Sequence, residues 1–251
     1  MGISFAEAFT PLPLTTPKPT ITQTPEQLLA KAVQSIGGRK ELNSIESFQL
    51  HGIMRLPDDR PVVEVDLATK NGGKVLGVTT YIGVGQSRFG SDGETAWEQN
   101  LDENNAETWA LIDGATLAQK VQQMNWLNWF TSLADTLDDM EVIGDEEFDD
   151  EPCWKVRIAV NGQNEQIAFF SKLTYHPKGR RTVERINDGD TIVDVYFRDW
   201  ERVGDLLLFH TIVYSREGTN ITLKLDRIVL DKAKDGVFIL PEQIIQLRDM
   251  P

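Results

Sequence analysis

Apolar and polar residues alternate along most of this chain, and that period sets the expectation for its fold. Phe48, Leu50, Gly52, Met54 and Leu56 fall on one side of an extended backbone, with Gln49, His51 and Arg55 among the residues on the other. This is the two-residue repeat of a strand with one buried face. The same repeat predicts strands over Val62–Thr69, Lys74–Ile82, Gln86–Phe89, Thr95–Gln99 and Glu107–Ile112, and again over Lys155–Val160, Glu165–Ser171, Arg181–Asn187, Thr191–Trp200, Leu206–Ser215 and Thr219–Leu230. Turn formers such as Asn71-Gly72-Gly73, Gly83 and Asp92-Gly93 separate them. Connections this short join antiparallel neighbours, because a parallel pair needs a crossover of roughly a dozen residues or more.

Helical spacing interrupts the alternation twice. Thr24, Pro25 and Gln27 make a capping box with proline at the first helical position, and Leu28, Leu29, Ala32, Val33 and Ile36 then share one face until Gly37-Gly38 stops the helix. Between Asp113 and Met140, the residues Leu117, Val121, Met124, Trp126, Leu127, Phe130, Leu133 and Leu137 form a second, broader apolar stripe. A flat sheet of about a dozen strands is disfavoured by strand twist, so it must curl, pack on itself or close. The expected fold is therefore α+β, mainly β: a single large curved antiparallel sheet, an open half-barrel, with helices packed in its concave face. One domain is expected over residues 24–251, preceded by a flexible segment over residues 1–23, where Pro11, Pro13, Pro17 and Pro19 alternate with threonines.

Charge narrows the function. With 25 basic and 39 acidic side chains the formal net charge is −14, which repels phosphate backbones and anionic headgroups, so no nucleic-acid partner is expected. No run approaches the roughly 20 apolar residues of a membrane-spanning helix. Cys153 is the only cysteine, which rules out an intrachain disulfide and a cysteine zinc site. His51, His176 and His210 lack metal-ligand spacing, and Ser87 misses the Gly-x-Ser-x-Gly elbow by one residue. No catalytic residue, metal ligand or cofactor is expected, and the chain reads as a non-enzyme. The acidic run at residues 144–151, GDEEFDDE, lacks the Asp-x-Asp-x-Asp-Gly pattern of a calcium loop and reads as a charged turn ahead of the Trp154 strand. The candidate ligand-binding residues are Met124, Trp126, Trp129, Phe130, Leu133 and Leu137. Their large rings bury much area and their methionine adapts to irregular apolar shapes, which suits flexible acyl chains; the same residues also serve as core between helix and sheet.

Several motifs, taken in order, resemble the periplasmic outer-membrane lipoprotein carrier and sorting (LolA-like) superfamily. Ala30–Leu42, AKAVQSIGGRKEL, is similar to its opening helix and Gly-Gly stop, followed by a first strand with a central glycine, here Gly52. Ser91–Trp97 resembles its Asp-Gly-x-x-x-Trp hairpin, Val142-Ile143-Gly144 through Val156 its edge-strand junction, and Phe197–Pro241 its closing strands. A departure follows Phe169-Phe170, where the family's Thr-Gly-Leu turn is replaced by Leu173-Thr174-Tyr175-His176-Pro177. The resemblance implies a carrier or binder of lipid or lipoprotein acyl chains in a periplasmic or otherwise extracytoplasmic compartment, with its signal peptide expected to be missing from this stretch of chain. The alternative of the same fold is a protein-interaction or sensor module, with a protein partner and a hollow filled by its own helices.

Overall fold

The computed structural model describes residues 23–101, 104, 106–124, 140–158, 166–186 and 189–250. Thirteen strands form one sheet: β1 (Ser47–Arg55), β2 (Pro61–Lys70), β3 (Lys74–Tyr81), β4 (Gly85–Asp92), β5 (Ala96–Leu101), β6 (Glu107–Leu111), β7 (Met140–Phe148), β8 (Glu151–Ile158), β9 (Gln166–Ser171), β10 (Pro177–Ile186), β11 (Gly189–Val203), β12 (Leu206–Arg216) and β13 (Thr219–Leu230). The spatial order is β6-β5-β4-β3-β2-β1-β13-β12-β11-β10-β9-β8-β7. Two meanders, β1 to β6 and β7 to β13, are thus joined where the first strand pairs with the last, antiparallel, from Phe48 opposite Leu230 to Arg55 opposite Thr222. The sheet is not closed, and β6 and β7 are its edges. The expected fold is the observed one.

Four helices accompany the sheet among the described residues: α1 (Pro25–Ser35), α2 (Arg39–Ser44), α3 (Gly114–Met124) and α4 (Glu242–Arg248). The capping box at Thr24 is formed as the sequence predicts, with Thr24 Oγ1 accepting from the Gln27 N–H and Gln27 Oε1 accepting from the Thr24 N–H. Leu28, Leu29, Ala32, Val33 and Ile36 of the α1 face are buried in one cluster with strand residues from both meanders, including Leu50, Leu67, Val156, Phe170, Phe209 and Ile212. Gly37 then turns the chain at φ 126°, and a Cβ there would lie 2.8 Å from the Asp205 carbonyl oxygen. Glycine permits that approach, so the Leu207 N–H donates to the Ile36 carbonyl at 2.9 Å and fixes the end of α1 to the β11–β12 turn.

The opposite, convex face differs from the polar surface that the alternation suggests. After β13 the chain crosses to this side, where Phe238, from a 3₁₀ turn at Asp235–Phe238, packs on Ala68, and Leu240 and Ile244 pack on Trp97. Lys70 and Lys74 both donate to Asp235 at 3.0 and 2.9 Å and hold that turn. A further convex cluster joins Phe148, Cys153 and Phe169, the two rings stacked at 3.8 Å. Burial first, then the nearby Glu151 carboxylate, pushes the Cys153 thiol up to about 12, so it stays a neutral, unreactive core group at physiological pH.

The acidic run is corrected in part. Residues 144–148 belong to edge strand β7, and the turn is confined to Asp149 and Asp150, both in the left-handed region. Its carboxylates carry partners from neighbouring strands. Glu146 accepts from Lys155 Nζ at 2.6 Å and Arg181 Nη1 at 2.7 Å, and Asp149 accepts from Arg198. Glu151 pairs with Lys178 at 3.1 Å, and Asp145 pairs with Lys172. Hydrogen bonds, first from Lys155 and then from Arg181, hold the Glu146 carboxyl below the usual carboxylate range against the opposing effect of burial. Among the described residues no group of three or more His, Cys, Asp or Glu is placed to hold a metal ion.

Candidate ligand-binding hollow

Strand register builds the concave face row by row. One row runs Val63, Met54, Leu223, Ile212, Phe197 across β2, β1, β13, β12 and β11 through direct cross-strand pairs. A second runs Val142, Val156, Ala168, Arg180, Val195, Tyr214, Ile221 from β7 to β13. Side chains of one row stand side by side on one face of the pleat, so each row is a continuous strip. Arg180 is the sole charged residue in either strip. Trp200 reaches the same cluster across a break in the β11–β12 ladder, where Asp199, at φ 54°, and His210 are unpaired and the register on either side is unchanged, so Trp200 meets Phe209.

Two helices lie in the hollow. α1 contacts β7 at one edge and is anchored at the lower end of the second meander. Lys31 Nζ donates to Tyr175 Oη at 3.2 Å, and His176 stacks on Trp200 with ring centroids 5.0 Å apart while hydrogen-bonding the backbone of Ser35. α3 lies over β3, β4 and β5, tied by Lys120 Nζ to Glu98 Oε2 at 2.7 Å, and its Leu117, Val121 and Met124 pack half-buried on the core. The structure therefore places Met124 of the candidate residues on the hollow. Trp126, Trp129, Phe130, Leu133 and Leu137 lie outside the described residues, as does all of residues 125–139, which link α3 to β7 at the far edge of the sheet. The segment over residues 1–23, apart from Gln23, is likewise outside them. Lining residues that the stripe does not reveal are Met54, Val63, Trp154, Trp200 and Tyr214, all partly buried against the same cluster. Each sits in a strand whose alternation was legible, but only register shows that they share one hollow.

His176 gives the anchoring of α1 a pH dependence. Its imidazole is packed against Trp200 and α1 and faces Glu151, Lys178 and the Ser35 backbone. Desolvation outweighs the opposing pull of Glu151 and Ser35, so its pKa is lowered from 6.5. The unfolded chain then takes up the proton first as pH falls, and the contribution of neutral His176 is fully present above about 6.5 and lost below it, down to the folded value. Carboxylates with lowered pKa, such as Glu146 and Glu151, act in a lower window, below their ordinary value of 4.5. Melting temperatures of wild type and His176→Gln should therefore differ more at pH 8 than at pH 5.5; a gap unchanged across that range would refute the assignment.

No protein-family profile and no curated protein sequence matches the chain. Among solved structures, it is similar to a DUF1329 family protein from Desulfovibrio piger, with a TM-score of 0.55 and 13% identity over 86% of this chain and 98% of the other. It is also similar to a LolA superfamily protein from Nitrosomonas europaea, with a TM-score of 0.54 and 12% identity over 87% of this chain and 98% of that one. At such identity the likeness concerns fold.

Proposed function

We propose that this chain, whose fold is LolA-like, is a non-enzymatic carrier or binder of lipid or lipoprotein acyl chains in a periplasmic or otherwise extracytoplasmic compartment. The observation that supports this most is the pair of apolar strips that face the hollow across five and seven strands, with α3 laid against the same core through half-buried side chains. Each methylene buried there contributes about 0.8 kcal/mol, so a chain of ordinary length is held without polar chemistry or a cofactor. Met124, Trp126, Trp129, Phe130, Leu133 and Leu137 form the movable side of the site in this reading. They pack the hollow when it is empty and part when a ligand enters. Among the described residues no helix is long and apolar enough to cross a membrane.

A second reading, a protein-interaction or sensor module, draws on the burial of α1: Leu28 and Ile36 are wholly buried, so part of the hollow is already filled by the chain itself. Uptake of a fluorescent 16-carbon fatty acid separates the two. The carrier reading expects saturable binding, and Trp126→Ala or Trp129→Ala should weaken it about tenfold or more while lowering the melting temperature by only a few degrees, about 2–4 °C per kcal/mol. A large fall in melting temperature with unchanged uptake reverses that ranking and favours the self-filled module.

A further inference from the structure

We infer that the free edge of β6 pairs with β6 of a second copy of this chain, antiparallel and centred on Trp109, so that two sheets become one. The inference holds whatever fills the hollow. The ladder fixes which backbone groups are open. Ile112 donates its N–H to the directly opposite Ala96 carbonyl at 3.0 Å, and the β5–β6 register runs without a break from Trp97 opposite Leu111 to Leu101 opposite Glu107. Bonded and non-bonded pairs alternate in an antiparallel ladder, so Ala110 and Thr108 bond inward to β5, while the N–H and C=O of Leu111, Trp109 and Glu107 point outward. These outward groups have no partner among the described residues.

An open edge templates pairing with other strands, and proteins guard it with lysine, proline, a bulge or a covering element. β7, the other edge, has a bulge between Val142 and Gly144, carries Glu141, Asp145, Glu146 and Glu147, and has α1 beside it. β6 reads Glu-Thr-Trp-Ala-Leu and has none of these devices beyond the single charge of Glu107. Its convex face is apolar as well. Trp109 lies partly buried against Trp97, the rings 5.7 Å apart, and Leu111, directly opposite Trp97, is 46% exposed. The charge pattern selects a second copy as the occupant. Pairing about Trp109 sets the two indoles against each other, as favoured cross-strand aromatics, and each Glu107 against the partner's Leu111. The two carboxylates then stand about 13 Å apart along the joint, beyond the roughly 8 Å over which exposed charges act at physiological ionic strength. The joint thus avoids the repulsion that a net charge of −14 on each chain would otherwise impose. A strand paired antiparallel with its own copy obeys a two-fold axis and closes, whereas β6 against β7 would not close and meets the guarded edge. That axis runs through the sheet, so both concave faces open on the same side.

Sedimentation velocity of the full chain over about 1–200 μM, the range in which an interface below standard size associates, tests the joint. Wild type should move from monomer toward dimer and no further. Leu111→Glu places a carboxylate opposite the partner's Glu107 at both ends of the joint. It should weaken the dimer about tenfold or more, since like charges directly opposite are destabilising. Leu111→Lys removes the same apolar side chain but faces that carboxylate with a cation, so its dimer should stay within about threefold of wild type. Adding Glu107→Lys to Leu111→Glu should bring the dimer back to that range, because the opposed charges then attract. Leu111→Glu and Leu111→Lys make the same demand on folding at a half-exposed position, so their ranking decides. A wild type that stays monomeric, assemblies larger than two copies, or equal effects of Leu111→Glu and Leu111→Lys would overturn the proposal.

Discussion

Phe209→Ala should lower the stability of this protein by about 3–5 kcal/mol, the usual cost of deleting a fully buried aromatic ring and leaving its cavity. Phe209 has no exposed surface and sits where α1 meets the second meander. Its ring stacks on Phe197 at 4.5 Å and 11°, and the edge of Trp200 meets it at 5.6 Å and 78°. Neither neighbour is free to close the gap. Phe197 is pinned by its pairing with Ile212, and Trp200 donates its indole N–H to the Phe197 carbonyl at 3.2 Å while carrying His176 on its other side. The loss should appear in urea unfolding as a lower midpoint with an unchanged slope, since the surface exposed on unfolding hardly alters. A change below about 1 kcal/mol would contradict this packing, because surface substitutions fall in that range and core rings do not.

That ring also shows where the sequence is informative and where it stops. Leu206–Ser215 reads as a strand from its alternation, and the structure makes it β12; that Phe209 belongs to the concave face follows only from the break in the β11–β12 ladder at Asp199 and His210. Bulges account for much of what alternation missed, because one extra residue exchanges the faces of everything beyond it. In β7 the register shifts between Val142 and Gly144, so Met140 and Val142 face the hollow while Glu146 and Phe148 face the other way. The run then shows no steady period, and the edge strand reads as the end of a helix followed by an acidic turn. In β10 the shift between Pro177 and Gly179 decides that Arg180 faces the hollow and Arg181 the convex ladder with Glu146 and Asp194. Two adjacent arginines carry no mark of that division in the sequence. α4 escaped for a simpler reason: seven residues with Ile244, Ile245 and Leu247 are too few to establish a helical period. By contrast α1, with its cap, stripe and glycine stop, was legible residue by residue, since every signal there is local. Of the candidate site, the stripe reached α3 and Met124, whereas the sheet side of the hollow had to wait for the register.

The bulge in β10 supplies the second large effect. Gly179→Ala should cost roughly 2–6 kcal/mol, the sum of backbone strain at a residue forced to positive φ and of overpacking against atoms that cannot move aside. Gly179 has φ 149°, and a Cβ built on it would lie 1.9 Å from the Val195 carbonyl oxygen and 3.0 Å from Cε1 of Phe148. The first of these is backbone of the paired strand, so relief requires β10 and β11 to separate. That separation is resisted two residues on, where Arg181 grips Asp194 of β11 through Nε at 2.7 Å and Nη2 at 3.0 Å, and Glu146 of β7 through Nη1. The second contact would push on the stacked rings of Phe148 and Phe169 that form the convex core. Gly236→Ala makes the matched control, because a Cβ there meets nothing within 4 Å; its effect should stay within about 0.5 kcal/mol. Measured side by side, Gly179→Ala and Gly236→Ala separate the cost of forcing two paired strands apart from the ordinary effect of one added methyl group.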